Sequence, residues 1–252
     1  MTEVLLDGRG LLESIRRHDG GLFVSDWSAG EVLAVPGGVL ARVDSLPLCF
    51  DWLPDGRLVL VDSSAGSLLR LSTDGTLVGH ASLGVPGWND IAVSPRGHVY
   101  VNRPDFTGPT GTVHLVGVGE VAGGLAFPNG MAVSGETLIV AESHGHRLTA
   151  FDIGPGGELS GRRTWASLGA TAAPDGICVD AEGAVWYADV PDKCCVRVAE
   201  GGEVLGRVDL DRGAFDCVTD GDTLYIAAAE WRGMATDELV TPGSGQVLAV
   251  PL

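Results

Sequence analysis

Six short apolar strands in this chain are each introduced by a glycine-containing turn, and they recur at a nearly even spacing. Asp19-Gly20 precedes Leu22-Phe23-Val24, Asp55-Gly56 precedes Leu58-Val59-Leu60-Val61, and Arg96-Gly97 precedes Val99-Tyr100-Val101. Gly135-Glu136 precedes Leu138-Ile139-Val140, Glu182-Gly183 precedes Val185-Trp186-Tyr187, and Asp220-Gly221 precedes Leu224-Tyr225-Ile226. The shared glycine falls at 20, 56, 97, 135, 183 and 221. All-β units repeating at about forty residues are the signature of a propeller. That constraint has a functional consequence: a propeller gathers equivalent positions of every repeat around one axis, so distant stretches of sequence can build one site.

Each repeat continues into further strands. Gly66-Ser67-Leu68-Leu69-Arg70-Leu71 and His146-Arg147-Leu148-Thr149-Ala150-Phe151 follow the second and fourth copies, several of them with the apolar/polar alternation of half-buried strands. Turn pairs such as Asp74-Gly75 and Gly201-Gly202 come next, and a shorter strand such as Val204-Leu205-Gly206-Arg207-Val208 closes the unit. Four antiparallel strands per repeat and six repeats predict an all-β, six-bladed β-propeller forming a single domain over residues 1–252. The last copy ends at Val250-Pro251-Leu252 without an outer strand of its own. Glu3-Val4-Leu5-Leu6 precedes the first copy and is predicted to supply that strand, closing the ring and hiding its edges.

The formal charge of −17 and the lack of a basic stripe argue against nucleic acid as a partner and against an anionic membrane surface. No run of eighteen apolar residues occurs, and Met1-Thr2-Glu3-Val4 lacks the basic start and apolar stretch of a signal peptide. The five cysteines are odd in number, which suits free thiols in a reducing cytoplasm. The expectation is therefore a cytoplasmic protein with neither nucleic acid nor a membrane as its partner. Its oligomeric state is not legible.

The segment ahead of each repeat glycine is the expected innermost strand, and it opens on polar residues: Glu13, Asp51, Asn89 with Asp90, Asn129, Asp175 and Asp216. Their neighbours are apolar, as in Ile91-Ala92-Val93 and Ile177-Cys178-Val179. Buried carboxylates need a partner or a metal. Spacing alone leaves two readings open. The side chains may hydrogen-bond loop backbone, or they may converge on a hard cation that takes oxygen ligands. No Cys/His cluster suggests a zinc site. Around this set, Trp88, Phe50 and Trp52 flank the expected channel mouth, either as an apolar wall for a ligand or as core packing; Asp105 lies in a Gly/Pro-rich loop, as a specificity gate or a turn former; and His144 and His146 lie on a loop that either reaches the substrate or is an ordinary hairpin. Trp231-Arg232 falls in the long last loop, 229–244.

Three segments, in order and in register with the repeat, resemble one family. They are Trp88-Asn89-Asp90-Ile91-Ala92-Val93, Phe127-Pro128-Asn129-Gly130-Met131-Ala132-Val133 and Pro174-Asp175-Gly176-Ile177-Cys178-Val179. The chain resembles the senescence-marker-protein/gluconolactonase (regucalcin-like) propellers over essentially its whole length. The resemblance implies a divalent-metal-dependent hydrolase, most often a sugar lactonase. The metal would be held by Glu13, Asn129 and Asp175, with calcium the first expectation and zinc, manganese or magnesium the alternatives. Asp175 would also serve as general base. Asn89 would orient the substrate beside Asp90, with Trp88, Asp105 and His144 as further substrate contacts. Two departures stand out. Many members read Glu-Gly-Pro and then an aromatic at the first ligand, where this chain has Glu13-Ser14-Ile15-Arg16. An arginine that contacts substrate in animal sugar lactonases is replaced by Gly87. A lactonase is the leading expectation. A phosphotriester-type hydrolase, or a lyase or isomerase on the same site, is the alternative, with a non-catalytic binding propeller behind it.

Overall fold

A computed structural model describes residues 2–233 and 239–252. Six four-stranded antiparallel sheets are arranged as blades. After an N-terminal strand β1 (Glu3–Arg9), blade one comprises β2 (Leu12–His18), β3 (Gly21–Asp26), β4 (Glu31–Ala34) and β5 (Val39–Arg42). Blade two comprises β6 (Phe50–Trp52), β7 (Leu58–Asp62), β8 (Ser67–Leu71) and β9 (Leu77–Ser82). Blade three holds β10 (Ile91–Val93), β11 (Val99–Arg103), β12 (Gly111–Leu115) and β13 (Gly119–Leu125). Blade four holds β14 (Pro128–Ser134), β15 (Thr137–Glu142), β16 (Arg147–Ile153) and β17 (Leu159–Ser167). Blade five holds β18 (Pro174–Val179), β19 (Val185–Asp189), β20 (Cys194–Val198) and β21 (Val204–Asp209). Blade six is β22 (Gly213–Asp220), β23 (Thr223–Ala229) and β24 (Gly245–Pro251), completed by β1 (Glu3–Arg9). β1 pairs with β24 through Glu3 with Ala249 and Val4 with Leu248, so the N-terminal strand closes the ring as predicted.

The repeat glycines take the positions that the turns demand. Gly20, Gly56, Gly97, Gly135, Gly183 and Gly221 all have positive φ, from 56° to 84°, between the first and second strands of their blades. A residue with a Cβ adopts that conformation at a cost. Burial explains the strand compositions. The second strands, such as Leu58–Asp62 and Val185–Asp189, lie between neighbouring blades and are almost wholly buried, hence their unbroken apolar runs. The outermost strands are largely exposed, as in Val204–Asp209. The core is thus a ring of apolar clusters between blades rather than one central core. The first strands of adjacent blades contact one another around the axis. Among the described residues the five cysteines are buried and free, and no helix is long and apolar enough to cross a membrane.

Candidate active site

The innermost strands do more than line a channel, because four of them are bulged where their polar residues sit. Register shifts fall between Glu13 and Arg16 in β2, Pro128 and Met131 in β14, Pro174 and Ile177 in β18, and Ala214 and Asp216 in β22. A bulge re-aims a side chain that regular pleating would send elsewhere. Here the bulges contain Asn129 and Asp175 and flank Glu13. The bulge in β2 is made at Ser14, whose φ of 54° is a conformation glycine accepts freely. Its hydroxyl accepts a hydrogen bond from Phe50 N at 3.2 Å, tying blade one to blade two.

The glycines of the Asn129-Gly130 and Asp175-Gly176 pairs are set by space. A Cβ on Gly130 would lie 2.4 Å from the Asp175 carbonyl oxygen, and one on Gly176 would lie 2.0 Å from Asp216 Oδ1. Only a bare backbone lets adjacent innermost strands approach this closely.

Residues at the ends of the second strands pin the loops that lead into the site. Glu142 accepts a hydrogen bond from Ala126 N at 2.7 Å, just ahead of Asn129, and Asp189 accepts one from Ala173 N at 2.9 Å, just ahead of Asp175. Ser143 donates to Pro174 O at 2.7 Å, and Asn102 donates through its side chain to Asn129 O at 2.5 Å.

Glu13, Asn89, Asn129 and Asp175, from four blades, line one cavity of about 700 Å³. Asn89 Nδ2 donates to Asn129 Oδ1 at 2.8 Å, and Asn129 Nδ2 donates to the Ser143 hydroxyl at 3.4 Å. Burial, then the neighbouring carboxylates Asp175, Asp216 and Asp90, push the Glu13 carboxyl well above the ordinary carboxylate range. Burial, then Asp216 and Asp90, do the same to Asp175. Neither carboxylate has an ion pair among the described residues.

The remaining polar positions behave differently. Asp51 accepts a hydrogen bond from Val93 N at 2.7 Å, Asp90 one from Met131 N at 2.7 Å, and Asp216 one from Ile15 N at 2.8 Å. Each bond joins one blade's innermost strand to the next, so these three carboxylates stitch the ring. Arg16 then bridges two of them, donating to Asp216 at 2.6 Å and to Asp90 at 3.1 Å. Both readings left open by the sequence therefore occur, divided among the residues.

The expected substrate contacts separate in the same way. His144 lines the cavity and stacks on Phe127, with ring centroids 4.5 Å apart. His146 instead turns Nδ1 toward Ala172 O at 2.6 Å. Asp90 lies beneath the cavity floor in the Arg16 cluster rather than in its lining. Trp88 is buried between blades, donates Nε1 to Val85 O at 2.6 Å and meets His114 edge-on, which fits core packing, and it is not among the cavity's lining residues. Asp105 is placed apart from the lining too. Thr107 and Thr110 hydrogen-bond its carboxyl, which holds it at about 2, and it closes its own loop outside the lining. Phe50 is in the core, and Trp52 stacks on His18.

The apolar wall comes mostly from residues outside the motifs, although Phe127 opens one of them and Trp231 stands in the last loop noted from the sequence. Trp27, Phe106, Phe127, Phe215 and Trp231 line the cavity, with Val190-Pro191 beside them. Trp27, Phe106, Val190 and Trp231 stand on loops joining the second and third strands of their blades, on the mouth side. The signal available in the sequence was position: Trp27 and Val190 directly follow the acidic residue that ends a second strand.

An all-oxygen set of two carboxylates and two carboxamides suits a hard divalent cation. Glu13 and Asp175, buried without a countercharge, fit that role on physical grounds. Among the described residues, no cluster of three His, Cys, Asp or Glu side chains is arranged to hold a metal, so the carboxamides are integral to any such set.

Residues 54–230, well over half of the chain, match the SMP-30/Gluconolactonase/LRE-like region. The chain belongs to that family. A curated relative, Pentonolactonase XacC of Haloferax volcanii, is 27% identical over 154 residues, 56% of this chain and 53% of that protein. The match thus spans about half the relative's length. A gluconolactonase from Xanthomonas campestris superposes with a TM-score of 0.77 at 22% identity, covering 100% of this chain and 89% of its own. A calcium-binding regucalcin from Agrobacterium tumefaciens superposes with a TM-score of 0.77 at 16% identity, covering 98% and 94%. These two likenesses establish the common fold.

Proposed function

We propose that the protein is a divalent-metal-dependent lactonase that opens a cyclic ester to a hydroxy acid. One observation carries the reading: Glu13, Asn89, Asn129 and Asp175 share a single cavity, and the two carboxylates among them have no ion pair among the described residues. Glu13, Asn129 and Asp175 would hold the cation, with calcium the first choice for an all-oxygen set. Such a cation supplies Lewis-acid polarisation of the ester carbonyl and stabilises the charge that develops on its oxygen.

The chain's own residues divide the remaining work. Asn89, fixed by its hydrogen bond to Asn129, orients the ring ester. Asp175 accepts a proton from water as the water oxygen bonds to the carbonyl carbon. The ring C–O bond then breaks, and the proton passes to the departing alkoxide oxygen to give the free hydroxyl.

The test is hydrolysis of a lactone panel by protein stripped with a chelator and then resupplied with calcium, manganese or zinc. Turnover should vanish on stripping and return with a divalent ion. Turnover indifferent to the chelator would overturn the metal role, and no turnover of any lactone would overturn the reaction.

A further inference from the structure

The floor of the cavity is polar and its walls are not. Above Glu13, Asn89, Asn129 and Asp175, the wall side chains that carry polar groups are Arg103, Ser143, His144 and the indoles of Trp27 and Trp231 among the described residues, and the Trp27 N–H is already given to Leu48 O at 2.9 Å. The Ser143 hydroxyl is already engaged, accepting from Asn129 at 3.4 Å and donating to Pro174 O at 2.7 Å. His144 presents a ring stacked on Phe127. A polyhydroxylated lactone leaving water for this cavity would find few partners for its hydroxyls, and a hydroxyl buried without a partner is unfavourable.

The apolar surface has the opposite character. Phe106 is 66% exposed yet sits in the cavity lining, edge-on to Phe127 with ring centroids 4.8 Å apart. Phe127 in turn stacks on His144. This aromatic ladder opens onto the cavity instead of burying its outer ring in the core. Trp27, Phe215 and Trp231 supply further aromatic surface. A large apolar side chain left open inside a concave site is apolar area that a ligand can cover. A volume of about 700 Å³ is that of a pocket for a drug-sized ligand, ample for a ring ester with a substantial body attached. At Gly87 the lining has no side chain, and the Arg103 Nε lies 3.6 Å from where a Cβ would be. Arg103 is the one Lys or Arg side chain of the lining among the described residues.

From this we infer that the preferred substrate is a lactone with an apolar, aryl- or alkyl-substituted body that lies on the Phe106–Phe127 wall, rather than an aldonolactone. The inference rests on the lactonase reading for the reaction and on the cavity lining for the ligand.

Two measurements on the whole protein separate those supports. The first compares kcat/KM for dihydrocoumarin and δ-decalactone with that for glucono- and xylonolactones, with a divalent ion present. Burying an aryl or alkyl body should favour the apolar lactones by roughly tenfold or more. The second follows tryptophan fluorescence while the protein is titrated with 3,4-dihydroquinolin-2-one, the lactam analogue of dihydrocoumarin, which is not hydrolysed as an ester. Saturable binding is expected. Phe106→Ser, at an exposed position that folding tolerates, should reduce the apolar-over-sugar ratio about three- to tenfold and weaken lactam binding in parallel. Preference for the sugar lactones would overturn the inference and leave the lactonase reading standing. Lactam binding without hydrolysis of any lactone would support the ligand class while removing the reaction. Neither binding nor hydrolysis would overturn both.

Discussion

The channel of this propeller has two sections built from the same strands, and they use the same residue types to opposite ends. At the mouth, Glu13, Asn89, Asp175 and Phe215 face the large cavity. Further along the same strands, Arg16, Asp51, Ala92, Ile177, Cys178 and Cys217 face a smaller one of about 200 Å³. Asp90 and Asp216 fall between the two sets in sequence and are bridged by Arg16. In the inner section every carboxylate has backbone N–H donors, and two of them also have a guanidinium. At the mouth the carboxylates have chiefly a carboxamide and one another. A buried acid that the fold itself satisfies is structural. An acid left without a countercharge, facing a cavity, marks the place where an external charge is expected.

The largest effect that would break this contrast is on activity. Glu13→Gln and Asp175→Asn should each lower metal-dependent lactone hydrolysis by about a thousandfold, since Lewis-acid stabilisation is worth several kcal/mol, while the circular-dichroism spectrum stays native. Asp51→Asn should leave kcat/KM within a few-fold and lower Tm by about 2–4 °C, the consequence of weakening one hydrogen bond by about 1 kcal/mol. Equal losses of activity in the two sections would erase the distinction.

Arg16 ranks next. Arg16→Met leaves Asp90 and Asp216 buried without their cation, a change that costs about 3–5 kcal/mol. Thermal unfolding should show a fall in Tm on the order of 10 °C. A Tm within 2 °C of the parent would mean that the ring does not depend on this bridge.

The pH dependence sharpens the comparison further. Glu13 and Asp175 titrate above the ordinary carboxylate range, and Asp216 is pushed up to about 6 by burial, against the opposing pull of Arg16. Between the ordinary value and the raised one, the folded state binds more protons than the unfolded chain. These groups therefore cost stability progressively as pH rises through that window. A cation that binds the ionised mouth should offset the cost, so the calcium-induced rise in Tm should be larger at pH 7.5 than at pH 5. An equal rise at both values would separate calcium binding from Glu13 and Asp175.

The smallest effect concerns a residue that belongs to neither section. Asp105→Ala should change kcat/KM less than twofold, because that carboxylate serves Thr107 and Thr110 in its own loop. A large loss would return it to the site.

The architecture was readable because propeller repeats are local. A left-handed turn at Gly20 or Gly183 and a buried run such as Val185-Trp186-Tyr187 depend on a few adjacent residues and recur six times. The strand Glu3–Arg9 was legible by subtraction, since one blade lacked an edge. The mouth residues were legible as polar interruptions of apolar strands, but their division was not. Asp90 and Asn89 are neighbours in sequence, yet one is a stitch held by Arg16 and the other lines the cavity. Trp88 and Phe106 look alike as aromatic residues near motifs, yet one is buried and the other open.

Sequence alone thus determined the ring, its closure and the set of polar residues that enter the channel, because periodicity, turn chemistry and strand patterning are properties of short segments. Tertiary structure decided which acids acquired a partner and which aromatics acquired a cavity. Both depend on side chains from different blades meeting at the axis, and no single segment of the chain specifies such a meeting.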